Sequence, residues 1–381
     1  MVVPSFFEKN NIKQNLLSEK KVLSVVLQRH FVSQPDICRY TDLAQQSVSR
    51  IVKGLTDIGA IVGERVSSGR RGQPSISIRV VPEFAYTFGV AIMTDSFSVV
   101  LMDFSCQVLE EVHCHEATMD RPRIVAKINE IFENLLSKHQ IDANRIVGVG
   151  VAISGYSLGG TGMYNPPRAL GDWALINLVE VLTTDFGFPV WVENDANAAA
   201  VGESLMGAGK TYKDFVYLYL AAGIGGGVII NGELLRGCHG NGGEVGLILP
   251  SGMYLEPNLS LLEKTLTRNG VEVDGISDLL SRFDVNWPGV EEWLNKTQES
   301  FSLIVSALSA ILDPEAIVFG GRIPASLSKK VASRLEIYDD ARRASPRPLP
   351  QLMSSDLTDG GAIGAAALPL KQHFYPGGVS V

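Results

Sequence analysis

The chain has 381 residues, 45% of them hydrophobic, 19% charged and 8% aromatic, with a formal net charge of −8. Such a composition excludes a disordered polymer, and the length predicts two or three compact domains. The charge is unevenly spread. Residues 1–82 hold 12 Lys/Arg against 6 Asp/Glu, a balance of +6, and the remainder holds 21 against 35, a balance of −14. A basic head on an acidic body points to a nucleic-acid-binding module attached to something with a different task.

The N-terminus lacks a basic segment followed by an apolar one, so no signal peptide is expected. The uncharged stretches 147–167 and 215–232 are rich in Gly and polar residues and read as buried strands and loops, not membrane spans. Cys38, Cys106, Cys114 and Cys238 are scattered without C-x-x-C spacing. That pattern argues against a disulfide scaffold or zinc finger and fits a reducing cytoplasm.

In chain order, Val22, Leu23, Val26 and Leu27 give a first helical stripe, and Ser33 is an expected N-cap for a short helix reaching about Tyr40. A turn at Thr41-Asp42-Leu43 follows. The third helix spans Gln45–Ile58, with Val48, Ile51, Val52, Leu55 and Ile58 on one face and Gly59 as its stop. Its other face carries Gln45, Gln46, Ser47, Ser49, Arg50 and Lys53. Amides suit adenine edges and cations suit guanine or phosphate, which is what a recognition helix needs in a major groove.

Ala60–Val66 and Ser75–Val80 then alternate as a hairpin whose tip, Gly69-Arg70-Arg71-Gly72-Gln73-Pro74, puts two guanidinium groups on a narrow backbone suited to a minor groove. The order predicts a winged helix-turn-helix over 1–82. The competing reading is a small protein–protein module with a solvated basic loop.

Beyond Tyr86, strands at Thr87–Met93, Ser98–Phe104 and Val108–Cys114 precede a helix at Ile124–His139, a buried strand at Arg145–Ile153, and a strand at Pro189–Val192 leading into a helix of small residues from Asp195. Phe215–Ala221, Gly225–Ile230, Glu233–Leu235 and Ala316–Phe319 repeat the plan. Two halves, each β-rich first and helical after, predict a duplicated α/β body of two lobes, 83–200 and 201–381, with a cleft between them and the C-terminal helix able to return to the first lobe. Leu303–Leu312 reads as core, with a subunit interface as the alternative.

Polar groups gather where that cleft should lie. Glu193-Asn194-Asp195 closes a strand and opens a helix, a place where open α/β sheets face ligands. Gly223–Gly227 permits close backbone approach to a phosphate but equally makes a tight turn. Glu244 sits among glycines and Glu263 opens a later helix. Carboxylates and amides suit a polyol because each hydroxyl both donates and accepts. Capping or surface roles are the alternative for each.

These residues carry a resemblance to the ROK family of repressors, open reading frames and sugar kinases, and within it to the NagC/XylR-type transcriptional regulators. It covers essentially the whole chain and rests on segments 192–203, 223–232, 242–246, 312–321 and 360–367 taken together. The resemblance implies an actin/hexokinase-like body and a sugar in its cleft, with Asp195 in the place of the kinases' general base and Asn194 beside it. It also implies Glu244 in the E-x-G-H motif, Glu263 after the cysteine cluster, and Asn165 as a further sugar contact.

Three departures stand against kinase chemistry or metal. Ala91 replaces the Asp of the first phosphate loop, and Ala221-Ala222 stands in the second loop without its hydroxyl. Leu247 replaces the His of the zinc cluster and Ser251–Leu262 has no cysteine, so no metal or other cofactor is expected and packing of Met253, Tyr254, Leu255 and Pro257 should order that loop. The expectation is a dimeric or larger DNA-binding regulator, most simply a repressor, that answers to a sugar and recognises an operator without acting as an enzyme. The alternative is an ATP-dependent sugar kinase that carries a DNA-binding domain.

Overall fold

The computed structural model describes residues 3–29, 31–66, 75–159, 162–338, 345–357 and 360–376. Helix α1 (Phe6–Lys9) starts in a capping box in which Ser5 and Glu8 exchange hydrogen bonds. Helix α2 (Leu17–Arg29) buries Val22, Leu23, Val26 and Leu27. Helix α3 (Gln34–Thr41) begins with a second capping box, Ser33 with Asp36, and ends at Asp42 in the left-handed region.

Helix α4 (Gln45–Asp57) buries Val48, Ile51, Val52 and Leu55, the stripe its periodicity requires. Strands β1 (Ile61–Val66) and β2 (Ser75–Val80) pair antiparallel from Ile61 opposite Val80, and Val32 bridges to Ile78 beside them. Helices α2, α3 and α4 with a hairpin wing result. The wing tip, with Arg70 and Arg71, lies outside the described residues.

The body begins with β3 (Tyr86–Ile92), β4 (Ser96–Asp103), β5 (Val108–His115), α5 (Arg121–His139) and β6 (Ile146–Ile153). The small hairpin β7 (Tyr156–Ser157) and β8 (Tyr164–Asn165) follows, then α6 (Leu178–Phe186), β9 (Val190–Asn194) and α7 (Asp195–Met206). The second lobe comprises β10 (Phe215–Leu220), β11 (Ile224–Ile230), β12 (Glu233–Leu234), α8 (Leu259–Arg268), α9 (Gly275–Ser281), α10 (Val290–Leu312), β13 (Ala316–Gly321), α11 (Ala325–Ala332), β14 (Gln351–Ser354) and α12 (Gly360–His373).

The two large sheets have the same plan. Their orders are β5-β4-β3-β6-β9 and β12-β11-β10-β13-β14, each an antiparallel meander followed by two parallel strands. The duplication inferred from sequence is thus a duplication of topology. Helix α12 lies against the first sheet, where Thr87 Oγ1 donates to Ala366 O at 2.8 Å, and packs on α7.

Small residues allow that helix pair to approach closely. A Cβ at Gly364 would stand 2.0 Å from Ala198 O, and one at Gly227 would stand 2.4 Å from Ala200 Cβ. Gly225 and Gly227 therefore serve the seating of α7 on β11, and Gly226 makes room for Val245 on the other face, which are packing requirements. Two outer cores cover the far faces of the sheets, while a central core joins α7 and α12 to the apolar stripes of the head. No helix among the described residues is long and apolar enough to cross a membrane.

The head is fastened to the body by both chain ends. Phe6 and Phe7 are buried in an aromatic cluster with Phe84, Phe104 and Phe374, the Phe7 and Phe374 rings stacking at 5.6 Å. Lys20 Nζ donates to Gln372 O at 2.8 Å, and Asn10 Nδ2 to Asn144 O at the same distance.

The segment after Glu244 departs from expectation. Of the four residues expected to order this loop, Met253, Tyr254 and Leu255 are exposed, Met253 by 76%, and Pro257 is buried, so apolar packing holds it at one point. Polar anchors hold it elsewhere: Ser300 Oγ donates to Leu255 O at 2.6 Å, Leu259 N to Ala221 O at 2.8 Å, and Trp293 Nε1 to Asn258 O at 3.2 Å.

Candidate functional site

Residues following β3, β6, β9, β10 and β13 meet in the cleft, because parallel strands of both lobes end there. A chamber of about 440 Å³ is lined by Ser154, Asn165, Asn194, Asp195, Glu244 and the turn 221–225.

Asp195 occupies the first turn of α7, where the helix dipole favours its charge. Its Oδ2 accepts from Ser154 Oγ at 2.5 Å and its Oδ1 from Ala196 N at 2.9 Å. Burial still raises its pKa above the ordinary aspartate value, with those hydrogen bonds opposing the rise. Glu244 is raised too, first by burial and then by the charge of Asp195. Two coupled carboxylates therefore face one chamber.

Asn194 caps α7: its Oδ1 accepts from Ala196 N at 2.9 Å and Asn197 N at 3.2 Å, and its Nδ2 donates to Gly155 O at 3.2 Å. Capping commits the oxygen and leaves one amide hydrogen for a ligand. Asn165 is exposed at the chamber mouth on β8. Glu193 is buried as a structural anion, accepting from Arg236 Nε at 2.9 Å and Asn194 N at 3.0 Å.

Glu263 is not among these residues. It sits on α8 beside Lys264, Thr267 and Arg268, away from the chamber. The carboxylate that reaches the turn is Glu256, whose Oε1 accepts from Ile224 N at 3.3 Å. A backbone donor of the glycine turn is thereby occupied by the chain itself.

Ties cross the cleft at both rims. Asn241 of the second lobe accepts from Ser157 N at 2.7 Å and donates to Ser157 O at 2.9 Å. On the other rim Asp95, in the turn after β3, faces Ser277 on α9 at 3.3 Å and Arg322, just after β13, at 3.6 Å. Sequence reading found none of Ser154, Glu256, Ser277 or Arg322. Ser154 and Arg322 follow strands, Glu256 lies in a loop and Ser277 on a short helix, and each is defined by contact with a partner many residues away.

Among the described residues no cluster of three or more His, Cys, Asp or Glu is placed to hold a metal ion. On α4, Gln45, Gln46, Ser49, Arg50 and Lys53 are exposed and Ser47 is half-buried. The N-cap position Ala44 supplies no side chain to the helix's first N–H groups, and the first turn has no acidic residue.

Comparisons with known proteins agree with this architecture. A full-length likeness is to an uncharacterised protein, y4fQ, of Sinorhizobium fredii, 24% identical over 96% of this chain and 93% of that protein. A xylose repressor of Caldicellulosiruptor bescii is 26% identical over 59% of this chain and 56% of its own length. Among solved structures, a ROK family transcriptional regulator described as a homolog of the E. coli MLC protein aligns with TM-score 0.66 at 18% identity, covering 95% of this chain and 98% of its own. A ROK family glucokinase from Streptomyces griseus, solved with glucose and AMPPNP, aligns with TM-score 0.62 at 23% identity over 74% of this chain and 99% of its own. The profile of the ROK family matches residues 87–372, and the chain belongs to that family.

Proposed function

We propose that this protein is a DNA-binding transcriptional regulator of carbohydrate-metabolism genes, acting as a repressor, whose cleft binds a sugar effector without phosphorylating it. The observation that carries the reading is the union of a winged helix-turn-helix head with a ROK body. The exposed face of α4 offers amides and cations to base edges, and its uncapped N-terminus offers N–H groups to a phosphate. A two-fold dimer would read a pseudo-palindromic operator.

Asp195, Asn194, Glu244 and Asn165 supply acceptors and donors for sugar hydroxyls. The phosphate side of the cleft is poor: buried Ala91 lies within β3, Ala221 and Ala222 form the turn, and Glu256 holds the N–H of Ile224. A kinase must stabilise negative charge there, and a carboxylate does the opposite. Asp195 is the residue that favours the kinase alternative.

Retardation of the gene's own upstream DNA tests the head, and a coupled kinase assay over hexoses, pentoses and amino sugars tests the body. Retardation with no turnover is expected. Turnover abolished by Asp195→Ala would sink the non-enzymatic reading, and failure to retard DNA would remove the regulator.

A further inference from the structure

The sugar chamber adjoins a second one of about 470 Å³ between the β4–β5 edge of the first lobe and α9 of the second, and the two share Met93 and Arg322. Arg322 is the one cationic side chain lining the sugar chamber among the described residues. Its side chain is 16% exposed, and a guanidinium so enclosed needs partners for its five N–H groups. The structure gives it one hydrogen bond, from Nη2 to Ser277 Oγ at 2.9 Å. Its nearest carboxylate, Asp95, stands at 3.6 Å, close enough for attraction and beyond hydrogen-bond reach. Asp95 is itself held by Ser96 and Ser277.

We propose that Arg322 determines the specificity of the cleft by selecting a carbohydrate that carries an anionic group, a phosphoryl or a carboxylate. Its hydroxyls engage Asp195 and Glu244 while its anion takes up the unused donors of Arg322. The assignment rests on the sugar-effector reading above and extends it. The charges in the cleft are arranged as two poles: coupled carboxylates after β9 and in the loop before α8, and a guanidinium after β13. A neutral monosaccharide satisfies only the first pole. An anion can form a bidentate, charge-assisted contact at the second, which a planar guanidinium favours. The rim of the second chamber carries the hydroxyls of Ser96 and Ser277, engaged by Asp95, of Ser281, engaged by Asp278 O, and of Ser98, engaged by His113, with Glu111 as the opposing charge. Because Asp95 reaches Arg322 and Ser277 from the opposite lobe, an anion at Arg322 competes with the tie across that rim.

Isothermal titration of the full chain with matched triplets tests this: a neutral aldose, its terminal phosphate and its terminal carboxylic acid, with inorganic phosphate as a further arm. One of the two acidic members should bind at least about tenfold more tightly than the neutral sugar, and which one does so separates phosphoryl from carboxylate. Arg322→Gln should abolish that preference by weakening the acidic member at least about tenfold, while Asp95→Asn should strengthen binding of the acidic member. Neutral sugars binding as well as both acidic forms, or a preference that survives Arg322→Gln, would overturn the assignment while sparing the sugar reading. Binding of no carbohydrate at all would overturn both. Circular dichroism of each variant shows whether it is folded.

Discussion

At Asp195, helix position and burial pull one side chain in opposite directions. Its first-turn position and Ser154 favour the anion, burial disfavours it, and the result is a carboxyl that ionises above the usual aspartate range. An acid whose folded pKa is raised is stabilising when protonated, so its contribution is whole below the unfolded value and is lost as pH rises through the folded one. On the proposed reading a sugar hydroxyl engages the ionised acceptor, and its binding has the opposite slope. Effector affinity measured by titration should therefore fall on acidification at a pH above the ordinary carboxylate range. Asp195→Asn should weaken binding by about 1.5–3 kcal/mol, the value of a hydrogen bond to a charged group, and flatten that slope. On the head, Arg50→Ala should cost about 1–3 kcal/mol in operator affinity if it reads a base, and fluorescence anisotropy at two salt concentrations would separate that role from a phosphate contact.

Among elements, α4 and the two meander-first sheets were legible from sequence because their patterns are local: a 3.6-residue stripe in one case, alternation and Gly-rich turns in the other. Asn165, Asn194 and Asp195 meet in the chamber because strand ends fix them, and Glu244 joins them from the loop after β12. Glu263 was misplaced for the opposite reason. The loop 249–258 carries no periodicity, and the path that brings Glu256 rather than Glu263 to the turn depends on Ser300 and Trp293, far along the chain. The turn 223–227 was ambiguous between phosphate cradle and packing, and neighbours on α7 show a packing need that no single segment reveals. The same crowding predicts that Gly364→Val, which places a side chain against the Ala198 carbonyl, costs about 1–3 kcal/mol or more through overpacking. Thermal unfolding would register the loss, and Ala at the exposed Gly54, with open space around it, is the matched control.

For the whole molecule, the change of charge at Pro82 is not a gap in packing. Helix α1, too short for any periodic signal, buries two phenylalanines against the C-terminal segment. Phe6→Ala with Phe7→Ala should remove several kcal/mol of head–body attachment, on the scale of about 3–5 kcal/mol for one buried Phe. Limited proteolysis should then cut the segment joining head and body. The same junction holds His373, which burial, and then the charge of Lys20, push down to about 4. A base with a lowered folded pKa contributes stability in full above its unfolded value near 6.5 and loses it as pH falls towards 4. Melting curves across that window should show the junction loosening, and His373→Gln should remove that part of the dependence.

The double fastening of the head also bears on how such a protein can be divided or recombined. A winged helix joined by one covalent crossing at residue 82 would be exchangeable like a cassette. Here the surface that receives it is built from residues 6–7 at one terminus and 373–375 at the other, with Phe84 and Phe104 between them. A chimera that exchanges the head must therefore carry the contacts of residues 6–7 with residues 373–374 along with it.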